Sequence, residues 1–235
     1  MEDLQNIARL LGIEISQKEL GQFDIYLKEL SEWNERTNLT AIKERSEVIT
    51  KHFIDSLTLL QAIPAESRSF ADIGSGAGFP GLPLKIMRPD LEMTLIEATS
   101  KKVEFLSHMI ETLGLAGIQA VHGRAEEFAQ MQEYREQFDM AAARAVAELS
   151  VLAEFALPFV KVGGTFIAQK NNISSTNAEI AHAESAIRLL GGEISRIIPI
   201  HIPALSDRSL VIIRKIAPAP AKYPRRSGMP SKYPL

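Results

Sequence analysis

The sequence predicts an α/β fold: a mostly parallel sheet that ends in an antiparallel hairpin, with an N-terminal cap of helices. Three observations lead to this prediction. The first sixty or so residues show helical periodicity, short apolar runs alternate with helical segments after residue 68, and a loop alone joins the last two apolar runs. Alternating strands and helices are typical of parallel sheets covered on both faces, whereas strands joined by a loop alone pair antiparallel.

The predicted cap covers residues 1–66. Apolar side chains recur at helical spacing in two runs: Leu20, Phe23, Leu27 and Leu30, continued by Trp33, and then Val48, Phe53, Leu57 and Leu60. The second run ends before Pro64, and the polar stretch "NERTNLTAIKERSE" lies between the two. We therefore expect two main helices joined by a connector.

The central domain is expected at residues 67–216. Five apolar runs there predict strands: "SFADIG", "EMTLIEA", "IQAVHG", "FDMAAAR" and "GGTFIAQK". The segment "TSKKVEFLSHMIETLG" predicts a helix that stops at Gly114. The last two runs, "ISRIIPIHIP" and "RSLVIIRKI", predict the antiparallel hairpin at one sheet edge.

The C-terminal tail, residues 217–235, is rich in proline. From Lys215 to the end the chain has five basic residues and no acidic one. Such a composition does not build a core, so we expect the tail to be extended or disordered when free. It is either a solubilising tail or an arm that contacts phosphates through Lys222, Arg225 and Arg226.

Bulk composition limits the class of protein. With 235 residues and 46% hydrophobic content, the chain can bury one substantial core. No apolar run approaches the roughly 18 residues that a membrane span needs, so we expect a cytoplasmic protein without a membrane partner. We also expect a monomer. Cysteine is absent, which excludes disulfides, thiolate metal sites and cysteine nucleophiles, and we expect no metal site. The net charge of −3 gives no general support for nucleic-acid binding.

A glycine-rich loop follows the first predicted strand, in "FADIGSGAGFPGLPLKIM". Gly76, Gly78 and Gly81 match the dinucleotide pattern G-x-G-x-x-G, whereas Asp72, Gly74, Gly76 and Gly78 match the methyltransferase pattern D-x-G-x-G-x-G. Ligands of open α/β sheets bind at the carboxyl ends of strands, and glycines let the backbone approach them closely. An ordinary tight turn between strand and helix is the alternative.

Acidic residues at the ends of neighbouring strands indicate a nucleoside ligand. Glu97 lies about 20 residues beyond the loop, where an acid accepts hydrogen bonds from ribose hydroxyls. Ala125 and Glu126 are placed to meet an adenine ring, although Glu126 could equally be a solvated carboxylate at a helix start. These positions predict a nucleoside cofactor without choosing between a dehydrogenase and a methyltransferase.

Asp72 favours the methyltransferase. An anion beside the loop would repel a pyrophosphate, whereas S-adenosyl-L-methionine (AdoMet) has no phosphate and carries positive charge on its sulfonium and amine. The alternative is a buried aspartate that only braces the loop. No tyrosine is followed four residues later by lysine, as in short-chain dehydrogenases. A parallel sheet closed by an antiparallel hairpin is, by analogy, the class I methyltransferase arrangement.

Five segments together resemble the RsmG (GidB) family of bacterial 16S ribosomal RNA guanine-N7 methyltransferases: "NLTAI", "KHFIDSL", "ADIGSGAGFPGLPLKI", "GRAEEF" and "ARAVAEL". The resemblance extends from about residue 20 to the C-terminus. It implies an AdoMet cofactor and, as substrate, a guanine of 16S rRNA, free or within a small ribosomal particle.

The resemblance also implies roles for particular residues. Gly74 and Phe79 would contact AdoMet in the first loop, Ala125 and Glu126 would do so beside the adenine, and Arg144 would lie near the methionine end or the incoming guanine. One segment departs from the family pattern: where a small apolar residue and a glycine are expected around Lys170, the chain has "AQKNN".

The chemistry of guanine N7 requires no general base, because N7 has an in-plane lone pair and no proton. Methylation of cytosine C5 normally needs a cysteine, and exocyclic amines often need an N/D-P-P-Y/F motif; the chain has neither. Arg144 and Lys170 are the candidate catalytic residues, and Arg208 is expected on the substrate side. The cap residues that match family segments, Asn38, His52 and Asp55, are secondary candidates.

Two other functions remain open at this stage. One is an AdoMet-dependent methyltransferase of a small molecule, which would leave the basic tail unexplained. The other is an NAD-dependent oxidoreductase or a non-catalytic nucleotide-binding module, favoured by the literal G-x-G-x-x-G pattern alone.

Overall fold

The N-terminal part of the chain is helical. The computed structural model describes residues 1–144, 146–171, 173–202, 205 and 208–235, with the side chains of residues 173–175 left out. The helices are α1 Glu2–Leu10, α2 Gln17–Thr37, α3 Arg45–Val48, α4 Asp55–Leu57, α5 Gly81–Met87, α6 Ser100–Thr112, α7 Ala125–Phe128, α8 Leu149–Ala156, α9 Ile173–Leu189 and α10 Met229–Lys232. A π-helical segment, Ile49–Ile54, joins α3 to α4, and 3₁₀ segments occupy Thr58–Gln61 and Leu157–Phe159.

The long helix α2 has clear start and stop signals. Ser16 and Glu19 form a capping box: Ser16 Oγ accepts the backbone N–H of Glu19, and the Glu19 carboxylate accepts that of Ser16. The helix ends where Asn38 adopts a left-handed conformation with φ 48°. The exposed Asn38 thus ends the helix.

Each of the seven predicted apolar runs forms a strand, and the predicted sheet is confirmed. The strands are β1 Ser69–Ile73, β2 Glu92–Glu97, β3 Ile118–His122, β4 Phe138–Arg144, β5 Val160–Lys170, β6 Gly192–Ile200 and β7 Arg208–Lys215. Their order is β3-β2-β1-β4-β5-β7-β6, and β7 runs antiparallel to both β5 and β6. Ile73 pairs with Ile96 and with Ala143, so β1, β2 and β4 end at the same edge.

Side chains alternate between two cores, one on each face of the sheet. Phe70 and Met140 face the core formed with the N-terminal helices, α5 and α6, whereas Ala71 and Ala141 face the core formed with α8 and α9. Within the described ranges of the chain, no helix is long and apolar enough to cross a membrane.

The C-terminal segment differs from the extended or disordered tail that its composition predicts. The guanidinium of Arg135 donates to the backbone carbonyls of Ala219, Pro220 and Tyr223, and Tyr223 is buried. Lys215 is the buried last residue of β7. The prediction failed because polar groups of the body, rather than a core within the tail, hold this segment in place.

Candidate active site

The glycine loop after β1 adopts a backbone that needs glycine. Gly74, Gly76 and Gly78 have φ values of 72°, 59° and 94°, in the left-handed region. A Cβ atom on Gly74 would lie 2.8 Å from Cγ2 of Val146, and one on Gly78 would lie 2.6 Å from the Tyr26 hydroxyl. The loop is therefore fixed by backbone conformation and by close neighbours.

Asp72 lies beneath the loop and does not line the cavity. Its side chain is fully buried, and Oδ2 accepts the backbone N–H of Gly81 at 3.0 Å. Among the described residues, Oδ1 has no hydrogen-bond partner. Burial raises the pKa of Asp72 to about 7. This geometry matches the loop-bracing alternative, with the aspartate holding the start of α5.

Glu97, at the end of β2, faces the cavity with both carboxylate oxygens held in place. Oε2 accepts the backbone N–H of Gly76 at 2.9 Å, and Oε1 accepts that of Thr99 at 2.8 Å. Each carboxylate oxygen can accept a second hydrogen bond. Glu97 can therefore receive two adjacent hydroxyl donors, as a ribose presents them.

Two adjoining cavities form one elongated cleft along the ends of the strands. The first, of about 450 Å³, brings together the predicted residues Gly74, Gly76, Phe79, Glu97 and Arg144. The second, of about 200 Å³, contains the predicted Ala125 and Glu126. The two cavities share four lining residues: Gly74, Ala98, Arg124 and Val146. The predicted Gly78 supports the loop and does not line either cavity.

The C-terminal segment forms part of the second cavity, which the sequence did not reveal. Gly228 and Ser231 line it, and the Gly228 N–H donates to Oε1 of Glu126 at 3.1 Å. Glu126 is consequently buried, in contrast to a solvated carboxylate. Arg225 anchors the segment: its guanidinium donates to both oxygens of Glu154, which is fully buried.

Aromatic rings form one wall of the first cavity. Phe79 stacks on His52 with ring centroids 4.4 Å apart and on Tyr26 at 5.3 Å. The Arg144 guanidinium carbon lies 5.2 Å from the Phe79 centroid. These contacts join the glycine loop to the N-terminal helices.

His52 is held neutral in a defined tautomer. Burial and then the charge of Arg144 lower the pKa of His52 to about 3. Arg144 donates to Nδ1 at 3.2 Å, so Nδ1 is the acceptor, and Nε2 carries the hydrogen donated to Thr40 Oγ1 at 2.8 Å. Both ring nitrogens are thus occupied.

Asp55 pairs with two arginines at the junction between the N-terminal helices and the sheet. Its carboxylate lies 3.1 Å from Nη1 of Arg144 and 3.1 Å from Nε of Arg208. Gln169 also donates to Oδ1 at 3.0 Å and to the backbone carbonyl at 2.7 Å. Arg208, expected on the substrate side, lies in this network. Asp55 was a secondary candidate, and Gln169 was noted only as part of the segment "AQKNN" that departs from the family pattern.

Lys170 lies outside the cleft, in a third cavity of about 370 Å³. Its ammonium lies 2.6 Å from Oε1 of Glu179 and donates to the Ala147 carbonyl at 3.0 Å. Val146 lines this cavity and both cavities of the cleft, so the third cavity adjoins the cleft at this residue.

The predicted basic residues of the tail have different environments. Lys222 and Arg226 are exposed. Arg225, by contrast, is paired with Glu154 through its guanidinium. Lys102 and Arg124 line the first cavity and were not predicted from the sequence.

The residues of the cleft fit AdoMet. Gly76 has no side chain, and the space where its Cβ would lie is open, so a ligand can approach the backbone closely. Glu97 provides oriented hydrogen-bond acceptors for ribose hydroxyls. The second cavity, beside Ala125, has room for a flat ring. These features lie next to each other, since the two cavities share four lining residues.

Comparison with solved structures supports the fold. The M. jannaschii TYW2 structure in complex with AdoMet matches with a TM-score of 0.57 at 14% identity, covering 75% of this chain and 80% of that one. MtNAS in complex with MTA and tNA matches with a TM-score of 0.55 at 16% identity, covering 83% and 71%. At such identities the likeness concerns the fold alone.

Comparison with known sequences supports the family. A protein of Chloroflexus aggregans named ribosomal RNA small subunit methyltransferase G is 49% identical over 224 residues, covering 95% of this chain and 93% of its own. A protein of Roseiflexus castenholzii with the same name is 44% identical over 235 residues, covering all of both chains. The family model GidB, rRNA small subunit methyltransferase G, matches residues 19–210. The chain therefore belongs to the GidB family, rRNA small subunit methyltransferase G.

Proposed function

We infer that this enzyme uses AdoMet to methylate N7 of a guanine in 16S rRNA. The main support for this function is a cleft at the carboxyl edge of the sheet in a chain that belongs to the GidB family. Glu97, Phe79 and Arg144 line this cleft. AdoMet supplies an electrophilic methyl group: the N7 lone pair forms the new bond to carbon while the bond from carbon to sulfur breaks.

We propose that the cleft holds the cofactor through backbone and carboxylate groups. The loop at Gly74 and Gly76 permits close approach, and Glu97 accepts the ribose hydroxyls through oxygens that two backbone N–H groups already orient. Ala125 and Glu126 flank the adenine compartment, and Phe79 closes the cleft on the side of the N-terminal helices. Asp72 acts indirectly, by fixing the start of α5.

His52 suits a reaction that proceeds without a general base. Both of its ring nitrogens are engaged, and its low pKa keeps the ring uncharged. Its role is to hold Phe79 by stacking and to hold Arg144 by accepting a hydrogen bond. Catalysis then comes from the orientation of N7 toward the methyl group.

Arg144 orients the target without opposing the reaction electrostatically. A guanine that is methylated at N7 becomes cationic, so an uncompensated guanidinium beside it would be unfavourable. The carboxylate of Asp55 lies 3.1 Å from Arg144 and offsets part of its positive charge, although Arg208 shares the same carboxylate. The guanidinium can therefore donate hydrogen bonds to the target with less repulsion of the cationic ring.

We also propose the cellular setting. The protein acts in the cytoplasm as a monomer, on 16S rRNA that is free or within a small ribosomal particle. The exposed Lys222 and Arg226 of the C-terminal segment contact RNA phosphates. Lys102 and Arg124, at the cleft itself, add positive charge where the RNA must approach.

The test is transfer of a radiolabelled methyl group from AdoMet to 16S rRNA, supplied free and in small ribosomal particles. We expect label at guanine N7, located by strand cleavage at 7-methylguanine, and loss of label in a Glu97→Ala variant. If the enzyme binds AdoMet but transfers no methyl group to either RNA form, the result would favour a small molecule as the methyl acceptor.

A further inference from the structure

We propose that the third cavity, beyond Val146, binds the target guanine, and that Glu179 recognises it by accepting hydrogen bonds from N1–H and the 2-amino group. The inference rests on the proposed function. The cavity has about 370 Å³ and lies where β4 and β5 end, lined by residues of both segments, including Ala147, Gln169 and Lys170. Among the described residues, Val146 lines both this cavity and the cofactor cleft, so a base bound there has the reaction site as its neighbour.

Glu179, on α9, is built into this cavity. Its Oε1 accepts the backbone N–H of Leu149 at 2.6 Å and lies 2.6 Å from the Lys170 ammonium. The ammonium is held in turn by the Ala147 carbonyl. Within the part of the chain that the structure describes, Oε2 of Glu179 makes no hydrogen bond or ion pair. One carboxylate oxygen is thus fixed and the other is available to a ligand.

Oε2 of Glu179 can accept hydrogen bonds from guanine, whereas adenine would bind there unfavourably. On its Watson–Crick edge guanine presents two neighbouring donors, N1–H and the 2-amino group, whereas adenine presents a bare N1 lone pair that a carboxylate repels. Flipped or splayed bases are read through this edge. Gln169 also lines the cavity, and the carboxylate of Asp55 accepts a hydrogen bond from its amide nitrogen.

The same carboxylate stabilises the product-like state. As N7 acquires the methyl group the purine ring becomes positively charged, so its N1–H becomes a stronger donor and the attraction to Glu179 grows. An interaction that strengthens toward the transition state accelerates the reaction. Lys170 acts as a positioning residue, since it holds Glu179 and is itself held by Ala147.

A Glu179→Gln variant tests the assignment. Glutamine keeps an oxygen that can accept the Leu149 N–H, but it places a donor amide where the guanine donors would bind. We expect kcat/KM for methyl transfer to 16S rRNA to fall roughly tenfold to hundredfold, with AdoMet affinity unchanged by calorimetry. The matched control is Glu184→Gln on the same helix, whose side chain is exposed and paired with Arg188; we expect it to behave as wild type.

The second measurement uses RNA in which inosine replaces guanosine at the labelled nucleotide. Inosine keeps N7 and N1–H but lacks the 2-amino group, so it should slow the wild-type enzyme and slow Glu179→Gln much less. This comparison remains informative if the Glu179→Gln variant fails to fold, because the wild-type enzyme alone should methylate RNA with guanosine faster than RNA with inosine. Equal rates for guanine and inosine with wild type, or an unaffected Glu179→Gln, would overturn the assignment while leaving the function intact. A wild-type enzyme that binds AdoMet yet methylates no guanine would overturn both.

Discussion

Nη1 of Arg144, at the end of β4, lies 3.1 Å from Oδ2 of Asp55, in the N-terminal helices. The other oxygen of Asp55 lies 3.1 Å from Nε of Arg208, at the start of β7. The three side chains are only 5% to 14% exposed. A single buried carboxylate therefore connects the helical segment to two strands and fixes the guanidinium that faces the cleft.

Replacement of Asp55 by asparagine should remove the carboxylate that pairs with the largely buried guanidinium of Arg144. Breaking a buried ion pair in this way costs about 3–5 kcal/mol. We expect the free energy of unfolding in urea to fall by about that amount. The control is Asp24→Asn, which breaks an exposed pair with Arg45 and should cost less than about 1 kcal/mol. Equal losses in the two variants would contradict a structural role for the buried pair.

His52 should make the protein sensitive to acid. Because its pKa is about 3 in the folded protein and the ordinary value for an exposed histidine is 6.5, the unfolded chain binds a proton between these values that the folded chain does not. The contribution of His52 to stability is therefore constant above pH 6.5 and falls as the pH decreases toward 3, by up to about 1.4 kcal/mol per pH unit.

The measurement for His52 is the free energy of unfolding of wild type and His52→Gln at several pH values. The difference between the two proteins should shift in favour of the variant as the pH falls below 6.5. A difference that does not change with pH would show that His52 is protonated equally in both states.

The sheet and the cleft residues at the ends of β1 and β2 were predictable because the sequence patterns that indicate them are local. Glu97 lies 21 residues after Gly76, with one helix between their strands, and the parallel register brings the two together. The Asp55–Arg144 pair spans 89 residues and the Glu126–Gly228 hydrogen bond spans 102. Contacts of this kind depend on how separate elements pack, and neither periodicity nor turn chemistry encodes them. The tail was misjudged for this reason.

Asp72 should influence stability more than cofactor affinity. Its pKa of about 7 in the folded protein exceeds the ordinary aspartate value of 3.8, so the folded chain binds the extra proton. Its contribution to stability therefore falls as the pH rises from about 4 to about 7 and is constant above that. Relative to wild type, Asp72→Asn should gain stability in urea unfolding as the pH rises from about 4 to about 7, with AdoMet affinity within about threefold. Loss of AdoMet binding in a folded Asp72→Asn would instead indicate a direct electrostatic role.

Ser231 should be sensitive to size, because it lines the cavity beside Ala125 and Glu126. In Ser231→Phe the ring should fill part of the compartment of about 200 Å³ and weaken AdoMet binding at least tenfold in calorimetry. Pro234→Phe adds similar bulk at an exposed position of the same segment that does not line the cavity, and it should bind as wild type. Equal affinities for the two variants would exclude the C-terminal segment from the cofactor site.

The exposed charges of the C-terminal segment should matter for RNA and not for the cofactor. Lys222, Arg226 and Lys232 are exposed, so their replacement by glutamine removes charge without breaking the fold. If each contacts a phosphate, binding to 16S rRNA should weaken and the slope of log K against log salt should become shallower by about two units. Arg225→Gln should act differently: it leaves the buried Glu154 carboxylate unpaired, so it should lower stability. The matched control replaces three exposed basic residues of α1 and α2, Arg9, Lys18 and Lys28, by glutamine. A salt slope that changes equally in both triple variants would mean that the tail contributes only general charge and does not contact the RNA.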